Sequence, residues 1–256
     1  MGINYIHQAD LVGPRYIKND GRFYSLQIID RGSHRVFIHP QRRKDDLSVA
    51  SALIRCWKTM GVPDFLQFDN ELSFRGSNRH PRSLGVVLRL CLLMGVEVVF
   101  IPVGEPWRNA VVESFNDTYN RRFFRNQWFR SYVQLRAQSK NFEIFHNRNH
   151  RYGYLQGSTP FQFLEEAGFK PLLAPPQLTL PKISYIPDGT ISVIRFIRSD
   201  RQLYIWGEHF KLPESLVYSY VRAKIITHLH EIQVFHGEEL VVTFPYHLPP
   251  WIDPNS

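Results

Sequence analysis

Cysteine is scarce in this sequence. Two thiols, Cys56 and Cys91, in 256 residues exclude a disulfide framework and a four-cysteine zinc site. Both stand in apolar, helix-forming surroundings, as buried thiols of a reducing compartment do. No long hydrophobic run is present either. The longest apolar region, 84–103, is interrupted by Arg89 and Glu97 and reads as a helix followed by a strand, not a bilayer span. The start, Met1-Gly2-Ile3-Asn4-Tyr5-Ile6, lacks the basic-then-apolar order of a secretory signal. It also lacks the hydroxyl residue that myristoylation needs at position 6. The expectation is a cytoplasmic protein with no membrane partner. Acid is in deficit: 23 acidic residues stand against 31 basic ones, for a formal net charge of +8 and a pI of about 9.6. That balance favours a polyanionic partner, nucleic acid first. Internal repeats, low-complexity tracts and coiled-coil heptads are also missing.

The texture of the chain changes once. Residues 3–39 read as three strands, with Asn19-Asp20-Gly21 as a hairpin turn. Residues 45–60 read as a helix, because Leu47, Ala50, Leu53, Ile54 and Trp57 recur at spacings of three and four. Gly61 and Pro63 stop it. A short apolar strand follows at 64–68, then a helix at 83–94 and a strand at 96–101. The stretch 107–151 reads as largely helical and strongly basic. Strands, helix, strand, helix, strand, helix predicts a mixed sheet covered by helices. Four prolines (171, 175, 176 and 181) then mark a semi-rigid linker at 171–182. Beyond it, short alternating segments at 191–197, 202–206, 216–226, 231–235 and 239–244 read as a small antiparallel barrel at 183–250.

Polar residues collect at two places. Gln67-Phe68-Asp69-Asn70-Glu71 ends a buried strand and delivers Asp69 at its carboxyl end. Pro106-Trp107-Arg108-Asn109-Ala110-Val111-Val112-Glu113-Ser114-Phe115-Asn116 opens a helix, on which Asn109, Glu113 and Asn116 share a face. The spacing puts Glu113 about two turns in. A third carboxylate, Asp10, lies in the first strand. If the three acids meet, they form a hard-oxygen site suited to Mg²⁺ or Mn²⁺.

The order Asp10-Leu-Val-Gly, Ile29-Asp30-Arg-Gly-Ser-His-Arg35, Gly61-Val-Pro-Asp-Phe-Leu-Gln-Phe-Asp69-Asn70-Glu71, then Pro102, Pro106, Asn109 and Glu113, resembles a retroviral-integrase-type catalytic core. It is most similar to the DDE transposases of bacterial insertion sequences, over about residues 3–168, with Asn147-Arg148-Asn149-His150 and Gly157-Ser158-Thr159-Pro160 resembling the end of that core. The resemblance implies a ribonuclease-H-like core at 1–170 and a Mu-transposase-like, SH3-like barrel behind it. It implies metal-dependent cleavage of DNA strands and transfer of 3′-hydroxyl ends. Asp10, Asp69 and Glu113 would hold two Mg²⁺ or Mn²⁺ ions, supported by Asn70, Asn109 and Asn116. Transposon ends and target DNA are the implied partners, with a homo-multimer assembled on DNA in the bacterial nucleoid and no small-molecule cofactor. Two features depart from the family. Forty-three residues separate Asp69 from Glu113, an excess assigned to the polar stretch 75–82. Asn120, followed by Arg121 and Arg122, stands where a basic residue often follows the glutamate.

Arg108, Arg121, Arg122 and Arg125 are the candidate contacts to DNA phosphates. Asp30 competes with Asp10 as the first carboxylate, but Asp30-Arg31-Gly32-Ser33 reads as a turn that its own acid stabilises, with Arg35 as a candidate ion-pair partner. Glu71 reads as structural or exposed. His146 and His150 have the spacing of a helical metal pair but read as cap or packing residues. The competing function is a truncated, non-catalytic DNA-binding or assembly module, because no helix-turn-helix precedes the Asp10 strand.

Overall fold

The computed structural model describes residues 2–75, 82–180 and 184–251. Most of the polar stretch expected to carry the extra length, 76–81, lies outside the described residues, as do Pro181 and Lys182 of the expected linker. The elements in chain order are β1 (Ile6–Ile17), β2 (Gly21–Asp30), β3 (Val36–Gln41), α1 (Asp46–Trp57), β4 (Phe65–Phe68), α2 (Leu72–Arg75), α3 (Val86–Leu93) and β5 (Glu97–Phe100). A 3-10 turn at Pro106–Asn109 leads into α4 (Ala110–Arg122), followed by α5 (Tyr132–Asn149) and α6 (Pro160–Glu166). Six strands follow: β6 (Thr190–Phe196), β7 (Gln202–Ile205), β8 (Glu208–Lys211), β9 (Tyr220–Ile226), β10 (Glu231–His236) and β11 (Glu239–Pro245). The chain divides into two compact units, Met1–Asp64 with Asn109–Thr179, and Phe65–Arg108 with Leu180–Ser256.

In the first unit, β1 pairs antiparallel with β2, and β2 with β3. The Asn19-Asp20-Gly21 turn closes the first hairpin, with Ile17 opposite Gly21. Gly21 takes φ +79°, a conformation that side chains resist. β1 runs on to Ile17 because a register shift between Val12 and Arg15 absorbs Gly13-Pro14. The core joins Ile17, Phe23, Ile29, Val36 and Ile38 of the strands to Val112, Phe115, Tyr119 and Phe123 of the α4 segment and to Leu135 of α5. The basic stretch read as largely helical forms two helices, α4 and α5, with a break between them. Phe123 leaves helical geometry at φ −122° and ψ −70°, and its ring turns inward onto Tyr119, Phe129 and Phe142. Ser131 then caps a new helix by accepting the Gln134 N–H.

α5 also satisfies β3. Asn147 accepts the Val36 N–H and donates to the Val36 carbonyl, both at 2.9 Å, and Glu143 accepts the Ile38 N–H at 2.9 Å. Helix side chains thus pair backbone groups of β3 that its partner β2 leaves unpaired.

In the second unit, β4 pairs parallel with β5 and β5 parallel with β6. β6, β9, β10 and β11 continue as antiparallel neighbours, while β7 and β8 form a separate hairpin. The C-terminal strands therefore grow directly from the edge of β5. Alternating burial along β9, where Val221, Ala223 and Ile225 are covered, gives this sheet its core face.

Candidate active site

In the first unit, α4 is docked onto β1 by three polar bonds. Asn109 Nδ2 donates to the Ala9 carbonyl at 3.3 Å, and the Val112 N–H donates to Gln8 Oε1 at 3.2 Å. One turn on, Asn116 Nδ2 donates to Asp10 Oδ2. Asp10 is half-buried on its strand, and Glu113 is exposed three residues before Asn116, on the same helical face. The helix proper starts at Ala110, so Glu113 stands in its first turn rather than two turns in. The preceding 3-10 turn accounts for the difference. A carboxylate there is favoured by the positive end of the helix dipole. Asn109, expected on the Glu113 face, is buried at the helix start.

The strand register adds Gln27, a residue with no signal in its local sequence. It lies directly opposite Asp10 across β1 and β2, so both side chains leave the same face of the sheet. Its amide is fully buried, and neither its nitrogen nor its oxygen finds a partner among the described residues. Asn116 Oδ1 is in the same position. Buried amides without protein partners beside a carboxylate fit a site that holds ordered water or a hydrated cation. The donor set, two carboxylates with amides and no thiol, matches a hard ion such as Mg²⁺. Among the described residues no group of three or more His, Cys, Asp or Glu side chains is placed to hold a metal ion. Asp10 and Glu113 belong to the first unit and Asp69 to the second.

In the second unit, Asp69 follows the last residue of β4, at the strand's carboxyl end as its sequence implies. Its Oδ1 accepts the Glu71 N–H at 3.0 Å, the signature of an Asx turn. Asn70 Nδ2 donates to the Ile101 carbonyl, and Arg195 Nη2 donates to Asn70 Oδ1 at 2.7 Å. Gln67 Nε2 holds the Arg108 carbonyl at 2.8 Å, which ties β4 to the 3-10 turn. The Arg108 side chain is committed within the protein: its Nε bonds Glu105 at 2.6 Å, and its guanidinium lies 4.3 Å from the Tyr220 ring centre. Glu105 raises the Arg108 pKa through that bond.

The basic residues after Glu113 differ among themselves. Arg121 and Arg122 are exposed, as is Arg125, and Arg121 pairs with Asp117. Asp30 is buried and structural. It accepts from the N–H groups of Asn4, Gly32 and Ser33 and from the Ser33 hydroxyl, at 2.6–3.1 Å. His146 Nε2 meets the Tyr152 hydroxyl at 2.8 Å, and its ring stacks on His150 at 4.6 Å. Burial, then the neighbouring His150, pushes His146 down to about 3. This is a packed aromatic cluster. Both cysteines are buried, and burial raises their pKa.

Residues 94–160 match the family model of the integrase core domain. The simian T-cell lymphotropic virus intasome, in complex with a PP2A regulatory subunit, is similar over 98% of this chain and 76% of that one, with 16% identity and a TM-score of 0.52. The HTLV-2 integrase catalytic core domain in complex with magnesium matches 63% of this chain and 96% of its own, with 15% identity and a TM-score of 0.46. The catalytic core domain of BIV integrase gives 64%, 96%, 14% and 0.46 in the same order. No curated protein matches. The likeness at a TM-score of 0.52 shows the fold, that of an integrase-type core: a mixed sheet with helices, followed by a small β region.

Proposed function

We propose that the chain is a DNA transposase or integrase, a polynucleotidyl transferase that cuts a DNA strand and joins its 3′-hydroxyl to a target. The observation that carries this reading is the Asn116 bond to Asp10. It ties the helix face bearing Glu113 to the strand bearing Asp10, and that helix lies inside the segment that matches the integrase core domain. Asp69 joins the set on its sequence pattern and on its place at the carboxyl end of β4.

In this reading Asp10, Asp69 and Glu113 hold Mg²⁺ or Mn²⁺. Bound there, the ion supplies Lewis-acid stabilisation of the phosphate oxygens and eases deprotonation of the attacking hydroxyl. In cleavage, a water oxygen bonds to phosphorus as the bond to the 3′-oxygen breaks; the water gives up a proton to solvent, and the leaving 3′-oxygen takes one from solvent to become a hydroxyl. In joining, the freed 3′-hydroxyl is the nucleophile and a 3′-oxygen of the target leaves. Asn116 orients Asp10, the Glu71 N–H orients Asp69, and Gln27 lends an amide to the water around the Asp10 carboxylate. Arg121, Arg122 and Arg125 contact phosphates along the DNA backbone. Residues 1–170 serve as the catalytic core and 183–250 contact DNA or a protein partner. The protein acts as a homo-multimer on DNA.

The test is Mn²⁺- or Mg²⁺-dependent nicking and joining of duplexes that carry the element's own terminal sequences. Wild-type activity that Asp69→Asn and Glu113→Gln remove supports the proposal. Equal behaviour of wild type and Asp69→Asn at saturating metal sinks it, and DNA binding without cleavage by the wild type leaves the non-catalytic module as the function.

A further inference from the structure

Arg195, on β6, reaches the turn that follows β4. Its guanidinium makes four contacts within the second unit. Nη2 donates to Asn70 Oδ1 at 2.7 Å, Nη1 donates to the carbonyls of Ile101 at 3.3 Å and Ile194 at 2.8 Å, and Nε donates to the Tyr204 carbonyl at 3.2 Å. Ile101 is a shared node: its carbonyl also accepts Asn70 Nδ2, and its N–H donates to the Phe68 carbonyl at 3.1 Å. The Asn70 amide is therefore gripped at both ends, by Arg195 at its oxygen and by Ile101 at its nitrogen. Asn70 is the residue next to Asp69, and the Asx turn at Asp69 starts from the same backbone. Planar guanidinium geometry suits this role, since its donors point in fixed directions that a lysine cannot reproduce.

We propose that Arg195 is a positioning residue: acting through Asn70, it fixes the turn that presents Asp69, so that the first C-terminal strand is part of the catalytic centre. The inference rests on the reading above that Asp69 binds metal. Burial, and after it the nearby Arg75, pushes Arg195 down to about 10, so the cation persists at neutral pH while its surroundings are dry enough to keep these bonds firm. Arg75 is likewise shifted down by burial.

The experiment measures Mn²⁺ binding to the full chain by electron paramagnetic resonance, with DNA nicking against Mn²⁺ concentration alongside. Wild type, Asp69→Asn, Arg195→Gln, Arg195→Lys, Asn70→Ala and the Arg195→Gln/Asn70→Ala double variant are compared. Groups that orient a metal ligand typically contribute about 10- to 100-fold in metal affinity. Arg195→Gln is expected to raise the half-saturating Mn²⁺ by at least about tenfold, with DNA affinity changed less than about twofold. Arg195→Lys should recover only part of the loss, and the double variant should match the worse single variant, because both act on one link. If Arg195→Gln fails to fold, Asn70→Ala carries the same expectation and decides the question in its place. Unchanged half-saturation in the Arg195 and Asn70 variants, with Asp69→Asn impaired, overturns this inference alone. Additive losses, or weakened DNA binding at unchanged metal affinity, overturn it in favour of a direct phosphate contact. Asp69→Asn indistinguishable from wild type overturns both this inference and the functional reading.

Discussion

Replacing Asn147 by alanine removes both bonds that α5 makes to Val36. The two backbone atoms involved are the N–H and the carbonyl of a residue only 1% exposed, and Asn147 itself is 2% exposed. Water cannot reach the orphaned groups without opening the contact. Each buried backbone group left unpaired costs about 1–3 kcal/mol, so the pair predicts a loss of roughly 2–5 kcal/mol, less than the full sum because one shift can rehydrate both. At a urea slope of about 2 kcal/mol per molar, the unfolding midpoint falls by roughly 1–2.5 M. Asn149→Ala is the control. That side chain is exposed and donates to the Phe145 carbonyl one turn back, so its cost should stay within about 0.5 kcal/mol. Asn147→Asp adds a second check. The ionised carboxylate keeps the acceptor, loses the donor and is buried, so burial raises its folded-state pKa above the unfolded value. Such a group favours the folded state at low pH and loses that support as pH rises through the folded pKa. Asn147→Asp should therefore regain stability relative to wild type as pH falls toward about 4. A midpoint for Asn147→Ala within about 0.3 M of the Asn149→Ala control, on the same slope, would refute the claim that α5 secures β3 through this amide.

Three further outcomes are expected. Asp10→Asn, Asp69→Asn and Glu113→Gln should each cut strand cleavage by at least about a hundredfold, since losing a metal ligand forfeits several kcal/mol of transition-state stabilisation. DNA affinity measured by anisotropy should stay within a few-fold. Neutralising Arg121, Arg122 and Arg125 together should flatten the slope of log affinity against log salt by up to about 2.7, at about 0.9 per phosphate contact; an unchanged slope removes them from the DNA path. Acid should destabilise the protein through its buried histidines. Burial above all holds His7 and His39 down to about 4 and His146 to about 3. Folded pKa values below the unfolded value of about 6.5 mean that stability is full above that pH and is lost as pH falls toward about 4, by about 1.4 kcal/mol per pH unit for each group. His146→Gln should reduce that slope by one such share in urea titrations at about pH 7, 6 and 5. An identical slope in the variant would show that His146 is not held neutral.

The elements that were legible in the sequence are those with local causes. The Asn19-Asp20-Gly21 hairpin needs a positive φ at Gly21, and glycine stands there. α1 keeps its apolar spacing, and its start at Asp46 follows a cap in which Asp45 accepts the Ser48 N–H. α6 went unread, although its start has an equally local cause: Thr159 and Gln162 form a capping box with Pro160 at the first helical position. Other features had no local cause. The break after α4 depends on Phe123 finding Tyr119, Phe129 and Phe142, and polar, helix-forming neighbours conceal that. The pairing of β6 with β5 joins Ile191 to Val98 across 93 positions, and no propensity records which edge a strand will choose.

Asp10 and Asp30 show why residue type alone does not separate a candidate site acid from a structural one. Both are aspartates on neighbouring strands of one unit. Asp30 is fully buried and takes four donors, three from backbone N–H groups of Asn4, Gly32 and Ser33 and one from the Ser33 hydroxyl. Those bonds satisfy its oxygens without metal, and its turn sequence, Asp-Arg-Gly-Ser, announced them. Asp10 is half-buried in the middle of a strand. The donor that identifies its surroundings, Asn116, comes from a helix 106 positions away, and the unpaired amide of Gln27 comes from the opposite strand. An acid whose neighbours are amides from distant elements can exchange those partners for a cation, whereas an acid locked by its own turn cannot do so without unfolding it. That distinction predicts the outcome of one comparison. Asp30→Asn should lower the unfolding midpoint and leave Mn²⁺ binding per folded molecule intact, while Asp10→Asn should leave the midpoint nearly unchanged and abolish Mn²⁺ binding. The reverse pattern would exchange the roles assigned to the two aspartates.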